Sequence, residues 1–471
     1  MSKVDDATLF KPVYELSELI RTRKLSPVDL TEGYLERIER FGAKLNCIAH
    51  AMPERARVEA RQAADEIARG HWRGPLHGIP YGAKDLFATA DAPTEWGAEC
   101  CKGQHFDHDA TVITRLRDAG AVLLGKLAMI EFAGGLGYRY ANASSTGPCR
   151  NPWNPDHWTG GSSSGSGAAV SGGLAAFALG TETWGSILCP SAFCGTTGVR
   201  PTYGRVSRSG GMVCSNTFDK VGPIARSARD CRLILQVIAG HDVSDPTSSL
   251  EPVKLAAGSG RRISELRGAL VPLDFTKGRE PEAAQAFDRA VAELKAMGLK
   301  METAKLPDVP VGEVAGLIIT AEALSTFEHF HRDGSVSKLH DPYAQYQWEI
   351  NSGITADDLV KAWRMRTVVR QKMTEFFSRY DVIVTPNFIT TAPGVDEDIN
   401  KALDGYTDPV GGFGNACGLP SIALPSGAGK GGLPLGFQIM GSPFDEATLL
   451  DLGEAYQQRT AFHAAHPAMA G

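Results

Sequence analysis

The chain has 471 residues, of which 43% are hydrophobic and 22% are charged. This composition is typical of a folded globular protein and excludes an intrinsically disordered chain. The formal net charge of −6 gives no reason to expect a nucleic acid or an anionic membrane as a partner. The length fits one large domain or two to three ordinary ones.

The start of the chain, from Met1 to Ile20, lacks the continuous apolar run of a signal peptide. No segment approaches the roughly 20 apolar residues that a membrane helix needs. The nine cysteines are an odd count without paired CxxC spacing. We therefore expect a cytoplasmic protein with reduced thiols and without a metal site.

The N-terminal part predicts three helices with charged outer faces. The stretch from Val13 to Ile20 is amphipathic. A second helix is expected to start with Ser26 as N-cap and Pro27 in the first helical position, and to run through Ile38. A third is expected from about Pro53 to Gly70.

Further along the chain, short apolar strands alternate with helices. Strands are expected near residues 121–125, 268–272, 381–385, 421–425 and 435–440. A buried helix is expected over 165–179, and further helices over 283–297 and 356–379. This alternation predicts one α/β domain, residues 1–471, with a sheet covered by helices on both faces.

The stretch from Thr159 to Gly173, TGGSSSGSGAAVSGG, is the most unusual in composition. A flexible linker is one interpretation, but the tract leads directly into small apolar residues suited to tight helix packing. A phosphate-binding loop is another, since glycines before a helix let its amides approach a ligand. The lysine that such a loop needs before its final serine or threonine is missing.

Catalytic serines are a third interpretation of the tract. Residues 161–165 fit the pattern G-x-S-x-G with Ser163 in the centre, but a proline-containing loop rather than a strand precedes them. A relay without histidine is the other possibility. Lys84 lies in HGIPYGAKDLFAT, and Ser186 lies in a glycine-bearing turn. A buried, neutral lysine can take the proton that a serine nucleophile must lose.

Several long motifs together resemble the amidase signature family. They are GPLHGIPYGAKD, GAVLLGKLAMIEFA, GPCRNPWNP, the glycine-serine tract, PSAFCGTTGVRPTYGRVSRSGG, YDVIVTP and GLPLGFQIMGSPFDE. The resemblance covers nearly the whole chain. It implies a mixed central sheet, a signature core at about 75–225, a variable substrate-pocket region at about 310–363, and hydrolysis of C–N bonds without cofactor or metal.

The resemblance also implies a Ser–cis-Ser–Lys triad. Its lysine falls on Lys84, its cis-serine on Ser162 after a cis Gly161–Ser162 peptide, and its nucleophile on Ser186. The residue pattern alone does not choose Ser162 over the next two serines. The implied oxyanion hole consists of the backbone N–H groups of residues 183–186, which are Thr183, Trp184, Gly185 and Ser186.

Three departures from the family pattern bear on the substrate. Trp184 stands where members usually carry the first of two glycines. Glu182 replaces the usual aspartate and is expected to be a structural hydrogen-bond partner. Leu188 stands where arginine is common, which makes this flank of the site more apolar.

The candidate substrate-binding residues come from the loop that matches the family's acyl pocket and from this apolar flank. They are Met129, Leu136, Gly137, Tyr138 and Leu188. The variable region adds aromatic residues that either enclose an aromatic substrate or pack in the core, namely Phe327, Phe330, Tyr343, Tyr346 and Trp348.

The leading interpretation is an amidohydrolase of small apolar or aromatic amides or urethanes, acting through a serine acyl-enzyme. The phrase TETWGS is similar to that of some urethane-hydrolysing members. We expect a small-molecule amide or carbamate substrate, no nucleic-acid or membrane partner, and a monomer or homodimer. The alternative is the A subunit of a glutamyl-tRNA amidotransferase complex, to which PTYGRVSRSGG is similar. A non-catalytic binding protein is disfavoured because all three triad positions are occupied.

Overall fold

A central β-sheet organises the protein, whose computed structural model describes residues 4–275, 280–403 and 408–469. Eleven strands of the described residues form this sheet, in the order β1-β3-β2-β6-β8-β7-β12-β13-β11-β9-β10. The strands are β1 (Ile48–Ala51), β2 (Pro80–Lys84), β3 (Val122–Leu127), β4 (Arg150–Asn151), β5 (Asn154–Trp158), β6 (Phe177–Glu182), β7 (Thr197–Arg200), β8 (Lys220–Ala225), β9 (Arg267–Leu270), β10 (Lys300–Thr303), β11 (Val382–Pro386), β12 (Ser421–Ala428) and β13 (Pro434–Gly441). Strands β4 and β5 pair separately.

Helices flank the sheet along the whole chain. They are α1 (Asp6–Leu9), α2 (Val13–Arg21), α3 (Pro27–Leu45), α4 (Pro53–Ala68), α5 (Thr111–Asp118), α6 (Ser164–Ser171), α7 (Leu188–Cys194), α8 (Ala228–Ile238), α9 (Pro281–Ala296), α10 (Val311–Thr326), α11 (Glu328–Arg332), α12 (Pro342–Gln345), α13 (Gln347–Ile350), α14 (Ala356–Phe377), α15 (Ile399–Ala402), α16 (Pro409–Cys417) and α17 (Glu446–Arg459). Within the described ranges, no helix combines the length and the apolar character needed to cross a membrane.

The sheet is mixed, as expected. Strand β2 pairs in parallel with both β3 and β6, and β9 pairs in parallel with β10 and β11. The remaining pairs of the sheet are antiparallel. One large α/β domain with a mixed sheet between helices is therefore confirmed.

The N-terminal helices follow the sequence closely because their start signals are local. Helix α3 begins at Pro27, and the side chain of Ser26 accepts a hydrogen bond from the Val28 N–H at 3.2 Å. This contact satisfies one of the N–H groups that a helix start leaves unpaired. The helix ends at Leu45, where Asn46 adopts a left-handed conformation.

The predicted helix over residues 165–179 is wrong in its second half. Helix α6 ends at Ser171, and Gly173 follows with φ of +69°. The chain then forms strand β6 from Phe177. All of these residues are buried, and a short buried apolar run does not distinguish a helix from a central strand.

Strand β2, which positions Lys84, is not among the strands expected from the sequence. Its five residues are all buried between the parallel strands β3 and β6. Tyr81 lies opposite Phe177, and Ala83 lies opposite Leu179. Because parallel strands end at the same edge of a sheet, Lys84 and Glu182 reach that edge together.

Candidate active site

Lys84 is the last residue of β2, and its side chain is fully buried. Its Nζ lies 2.7 Å from Ser162 Oγ and 2.9 Å from Thr181 Oγ1. Burial lowers the pKa of Lys84 to about 7, although the charges of Asp219 and Glu182 act in the opposite direction. At neutral pH a large fraction of this amine is therefore uncharged.

A second fully buried lysine, Lys126 on β3, makes the contrast clear. Its Nζ lies 3.1 Å from Asp85 Oδ1 and 2.6 Å from Thr94 Oγ1. A carboxylate within hydrogen-bond distance stabilises a buried ammonium. In the part of the chain that the structure describes, Lys84 has no carboxylate at such a distance and contacts two hydroxyl groups instead. Its surroundings favour the neutral amine.

The three serines at the start of α6 point to different partners. Ser162 contacts Lys84, and the peptide before it, Gly161–Ser162, is cis, as the resemblance implied. Ser163 Oγ binds the main chain of Thr181 at 3.2 Å. Ser164 Oγ donates to Ala128 O at 3.3 Å. The geometry thus distinguishes Ser162 from its neighbours, which the residue pattern could not do.

The glycine-serine tract is a buried part of the core. Gly165 shows why small residues are required there, because a Cβ atom at this position would lie 2.4 Å from Cys47 O and 2.5 Å from Ala128 N. Helix α6 therefore lies directly against a neighbouring stretch of main chain. The linker interpretation is wrong.

The side chain of Glu182 stabilises the loop that contains Ser186. One carboxylate oxygen of Glu182 accepts hydrogen bonds from Ile187 N at 3.0 Å and Leu188 N at 3.1 Å. The other oxygen lies 2.8 Å from Arg200 Nη1. Burial alone raises the pKa of Glu182, but the charges of Arg200 and Lys220 outweigh it and lower the pKa to about 2. Glu182 is therefore the charged structural partner that the sequence predicted.

The main chain between Glu182 and Ile187 has unused donors. Among the described residues, the N–H groups of residues 183–186 donate to no other protein group. The side chain of Thr183 is fixed by Asp219, whose Oδ1 lies 2.5 Å from Thr183 Oγ1. Ser186 O accepts from Ser163 N at 3.3 Å, which joins this loop to the start of α6. The loop thus presents four successive N–H groups without a partner among the described residues.

A pocket of about 240 Å³ opens beside Ser186. Its wall combines four glycines with the aromatic rings of Tyr138, Trp184 and Tyr343. None of the described residues that line it is Asp, Glu, Lys, Arg or His. The pocket thus offers aromatic and small surfaces, hydroxyl and amide groups, and no charged side chain.

The family can be assigned from the comparison with known proteins. The model of the family described as Amidase matches residues 29–450, which is most of the chain. The chain belongs to the amidase signature family. As a member of this family it is a hydrolase that acts on C–N amide bonds.

Relatives of this amidase have different names. The A chain of the glutamyl-tRNA(Gln) amidotransferase of Moorella thermoacetica is 36% identical, and the match covers 96% of this chain and 97% of that protein. The AmiD protein of Mycobacterium bovis is also 36% identical, over 98% and 97% of the two chains. The solved peptide amidase of Stenotrophomonas maltophilia is 29% identical, with a TM-score of 0.82 and 98% of each chain covered.

The predicted pocket residues of this amidase divide into two groups. Gly137 and Tyr138 line the pocket beside Ser186. The expectation for Met129, Leu136 and Leu188 needs correction, because these side chains are at most 2% exposed and are absent from the described lining. An apolar residue in a matching loop can face the core as readily as a ligand.

The aromatic residues of the variable region are divided in the same way. Tyr343 lines the pocket, with its ring against Gly137. Phe327 and Phe330 are buried, and their rings pack on Phe132 at centroid distances of 4.3 and 5.0 Å. Tyr346 is exposed, and Trp348 stacks on His331 at 4.6 Å.

Sequence reasoning missed several groups at the site. Thr181 contacts Lys84. The only feature of the sequence that marks Thr181 is its polar character near the end of a buried strand, five residues before Ser186. Asp219 holds Thr183 from 36 residues away. Gly316, Thr320 and Gln347 reach the pocket from α10 and α13, and no motif marks them.

Proposed function

We propose that this amidase hydrolyses small, neutral amides or urethanes with apolar or aromatic groups through a serine acyl-enzyme. The observation that carries the proposal is the buried Lys84 amine, 2.7 Å from Ser162 Oγ. The main chain of the next residue, Ser163, binds that of Ser186, which lies in the wall of the uncharged pocket. The arrangement supports a base that works without histidine.

In the first step, Ser186 Oγ forms a bond to the carbonyl carbon of the substrate. Its proton passes to Ser162 Oγ, while the proton of Ser162 passes to the neutral Lys84 Nζ. The carbonyl oxygen becomes an oxyanion. The unused N–H groups of residues 183–186 support its stabilisation, and one well-placed donor contributes roughly 3–4 kcal/mol in known cases.

The same route returns the proton when the C–N bond breaks. Lys84 gives its proton to Ser162, and Ser162 gives its own to the leaving nitrogen, because an amine departs poorly without one. An acyl group remains on Ser186. Water then attacks this ester while the relay again takes up a proton and returns it to Ser186 Oγ.

The uncharged pocket supports a neutral substrate. A charged group moved from water into a site without a partner costs several kcal/mol. The rings of Tyr138, Trp184 and Tyr343 support apolar or aromatic substituents. Amides and urethanes both present a carbonyl next to nitrogen, so both belong to the proposed substrate class.

The alternative function is that of the A chain in an amidotransferase complex. The 36% identity to the protein from Moorella thermoacetica, over nearly the whole of both chains, favours it. The amide donor glutamine carries an ammonium and a carboxylate group. The described lining of the pocket offers neither of them a charged partner, which favours the neutral substrate.

An assay of the purified chain alone tests the proposal. Release of aniline would be measured from acetanilide and from a matched phenylurethane, and release of ammonia from glutamine. The proposal expects turnover of at least one neutral substrate and faster hydrolysis than of glutamine. The alternative would be supported if glutamine were the only substrate hydrolysed, or if hydrolysis required the addition of a partner protein.

A further inference from the structure

A second cavity lies along helix α14. Its volume is about 590 Å³, and Trp363, Arg366, Thr367 and Arg370 form one wall. Arg366 and Thr367 follow Trp363 by three and four positions and precede Arg370 by four and three, so the four residues share one face of the helix. None of them belongs to the described lining of the pocket beside Ser186. The cavity is a separate site.

Arg366 is held rigidly in this cavity by neutral groups. Its Nε donates to Ala416 O at 2.7 Å, and its two Nη atoms donate to Thr217 Oγ1 and Thr217 O at 2.7 and 2.8 Å. The guanidinium lies over the Phe218 ring, 4.3 Å from the centroid. Its position is fixed, and none of these contacts neutralises its charge.

Arg370 adds a second positive charge one turn further along α14. Its side chain is exposed, and within the described ranges neither Arg366 nor Arg370 has a carboxylate within 4.0 Å. The carboxylate of Glu322 accepts from the hydroxyl groups of Ser215 and Thr217. Its charge acts on Arg366 across the Thr217 hydroxyl, which binds both side chains, without a direct contact. Two guanidinium groups of like charge thus line one cavity without an ion pair.

An apolar cavity of about 390 Å³ continues from Arg370. The two cavities share Arg370, Cys417 and Pro443. The lining of the second includes the partly exposed Phe377 and the edges of the buried side chains Met373 and Leu419. Together they form a cleft, here called the α14 cleft, with a basic half and an apolar half.

We propose that the α14 cleft binds an organic carboxylate, with its anionic group at Arg366 and Arg370 and its apolar body against Met373, Phe377 and Leu419. Guanidinium groups match a carboxylate in charge and geometry. An apolar pocket with a few convergent polar groups is the usual form of a small-molecule site. The proposal does not depend on the reaction at Ser186.

Calorimetric titration of the full chain with sodium octanoate tests this site. Arg370→Gln is expected to weaken octanoate binding about tenfold or more, because it removes a charge-assisted contact. Arg364→Gln is the matched control, since Arg364 is exposed on the same helix and lines neither cavity. It is expected to bind octanoate as the unchanged protein does.

A second variant and a second ligand test the division of the cleft. Thr374→Asp places a negative charge at an exposed position in the apolar half and is expected to weaken octanoate binding. Neither Thr374→Asp nor Arg370→Gln should change the binding of octan-1-ol as strongly. The proposal is overturned if octanoate does not bind, if Arg370→Gln binds it normally, or if Arg364→Gln weakens it equally.

Discussion

Lys84 Nζ and Ser162 Oγ lie 2.7 Å apart, although 78 positions separate the two residues in the sequence. One side chain comes from the end of a parallel strand and the other from the turn before a buried helix. Their contact places a hydroxyl group beside a buried amine whose pKa burial lowers to about 7.

The serines of the tract provide a matched set for testing this contact. Ser162→Ala is expected to lower kcat by about a hundredfold to ten-thousandfold, because the proton route between Ser186 and Lys84 is broken. Ser164→Ala, which loses a bond to Ala128 O, is expected to keep kcat within about threefold. Equal losses in the two variants would contradict a special role of Ser162.

Variants of the buried lysines Lys84 and Lys126 should separate activity from stability. Lys84→Met is expected to fold and to lose kcat by about a thousandfold or more, because no base remains. Lys126→Met leaves Asp85 without its ion-pair partner and is expected to lower the free energy of unfolding by about 3–5 kcal/mol. Urea unfolding and steady-state kinetics of both variants check this; a Lys84→Met variant with most of its activity would exclude the relay.

The pH dependence of activity follows from the same amine. The base must be neutral, and the pKa of Lys84 is lowered to about 7, so kcat/KM should rise about tenfold per pH unit below that value and level off above it. A neutral anilide, which does not titrate in this range, is the appropriate substrate. A rise in kcat/KM that continues to about pH 10 would show that the lysine titrates near its ordinary pKa.

The buried amine also makes stability depend on pH. The pKa of Lys84 is lowered to about 7 in the folded state and is about 10.4 in the unfolded chain, so between these values the unfolded state binds the extra proton. As the pH rises from about 7 to about 10, this residue therefore increases the free energy of unfolding by up to about 1.4 kcal/mol per pH unit. Between about pH 7 and pH 10, the free energy of unfolding of the unchanged protein should therefore rise relative to that of Lys84→Met. A constant difference would contradict the lowered pKa.

Two glycines of α10 test the size of the pocket. A Cβ at Gly312 or at Gly316 would meet no atom within 4 Å, but only Gly316 is in the described lining of the pocket. Gly316→Leu is expected to lower kcat/KM for an anilide about tenfold or more while acetamide is affected less, because the new side chain fills the cavity. Gly312→Leu should leave both rates unchanged. Similar losses in the two variants would show that the helix, not the pocket, was disturbed.

The parts of the fold that local signals determine could be predicted from the sequence. Ser26 and Pro27 mark the start of α3, and the apolar spacing after them sets its buried face. Strands β2 and β6 could not be recognised in the same way. Every residue in them is buried, so they lack the alternation that identifies a strand at a surface.

The candidate site was predictable in its residue types and not in its contacts. The motif around Ser186 and the glycine-serine tract marked the region, but three adjacent serines differ only in where the backbone directs them. The pocket wall depends on α10 and α13, which are more than a hundred residues away from Ser186. The contact of these helices with the region around Ser186 depends on the order of the strands and the packing of the helices, which no local sequence pattern predicts.

The bonds made by Glu182 bear on how this enzyme tolerates change. Its side chain accepts hydrogen bonds from the main chain just after Ser186, and its own main chain precedes Thr183. Both ends of the short segment 183–186 are therefore anchored to one residue. A different side chain at position 184 can then reshape the wall that a substrate meets while the amide groups stay in place. A bulky indole at position 184, where members of the family usually carry glycine, is compatible with this anchoring, and we expect substitutions there to change selectivity more than the position of the amide groups.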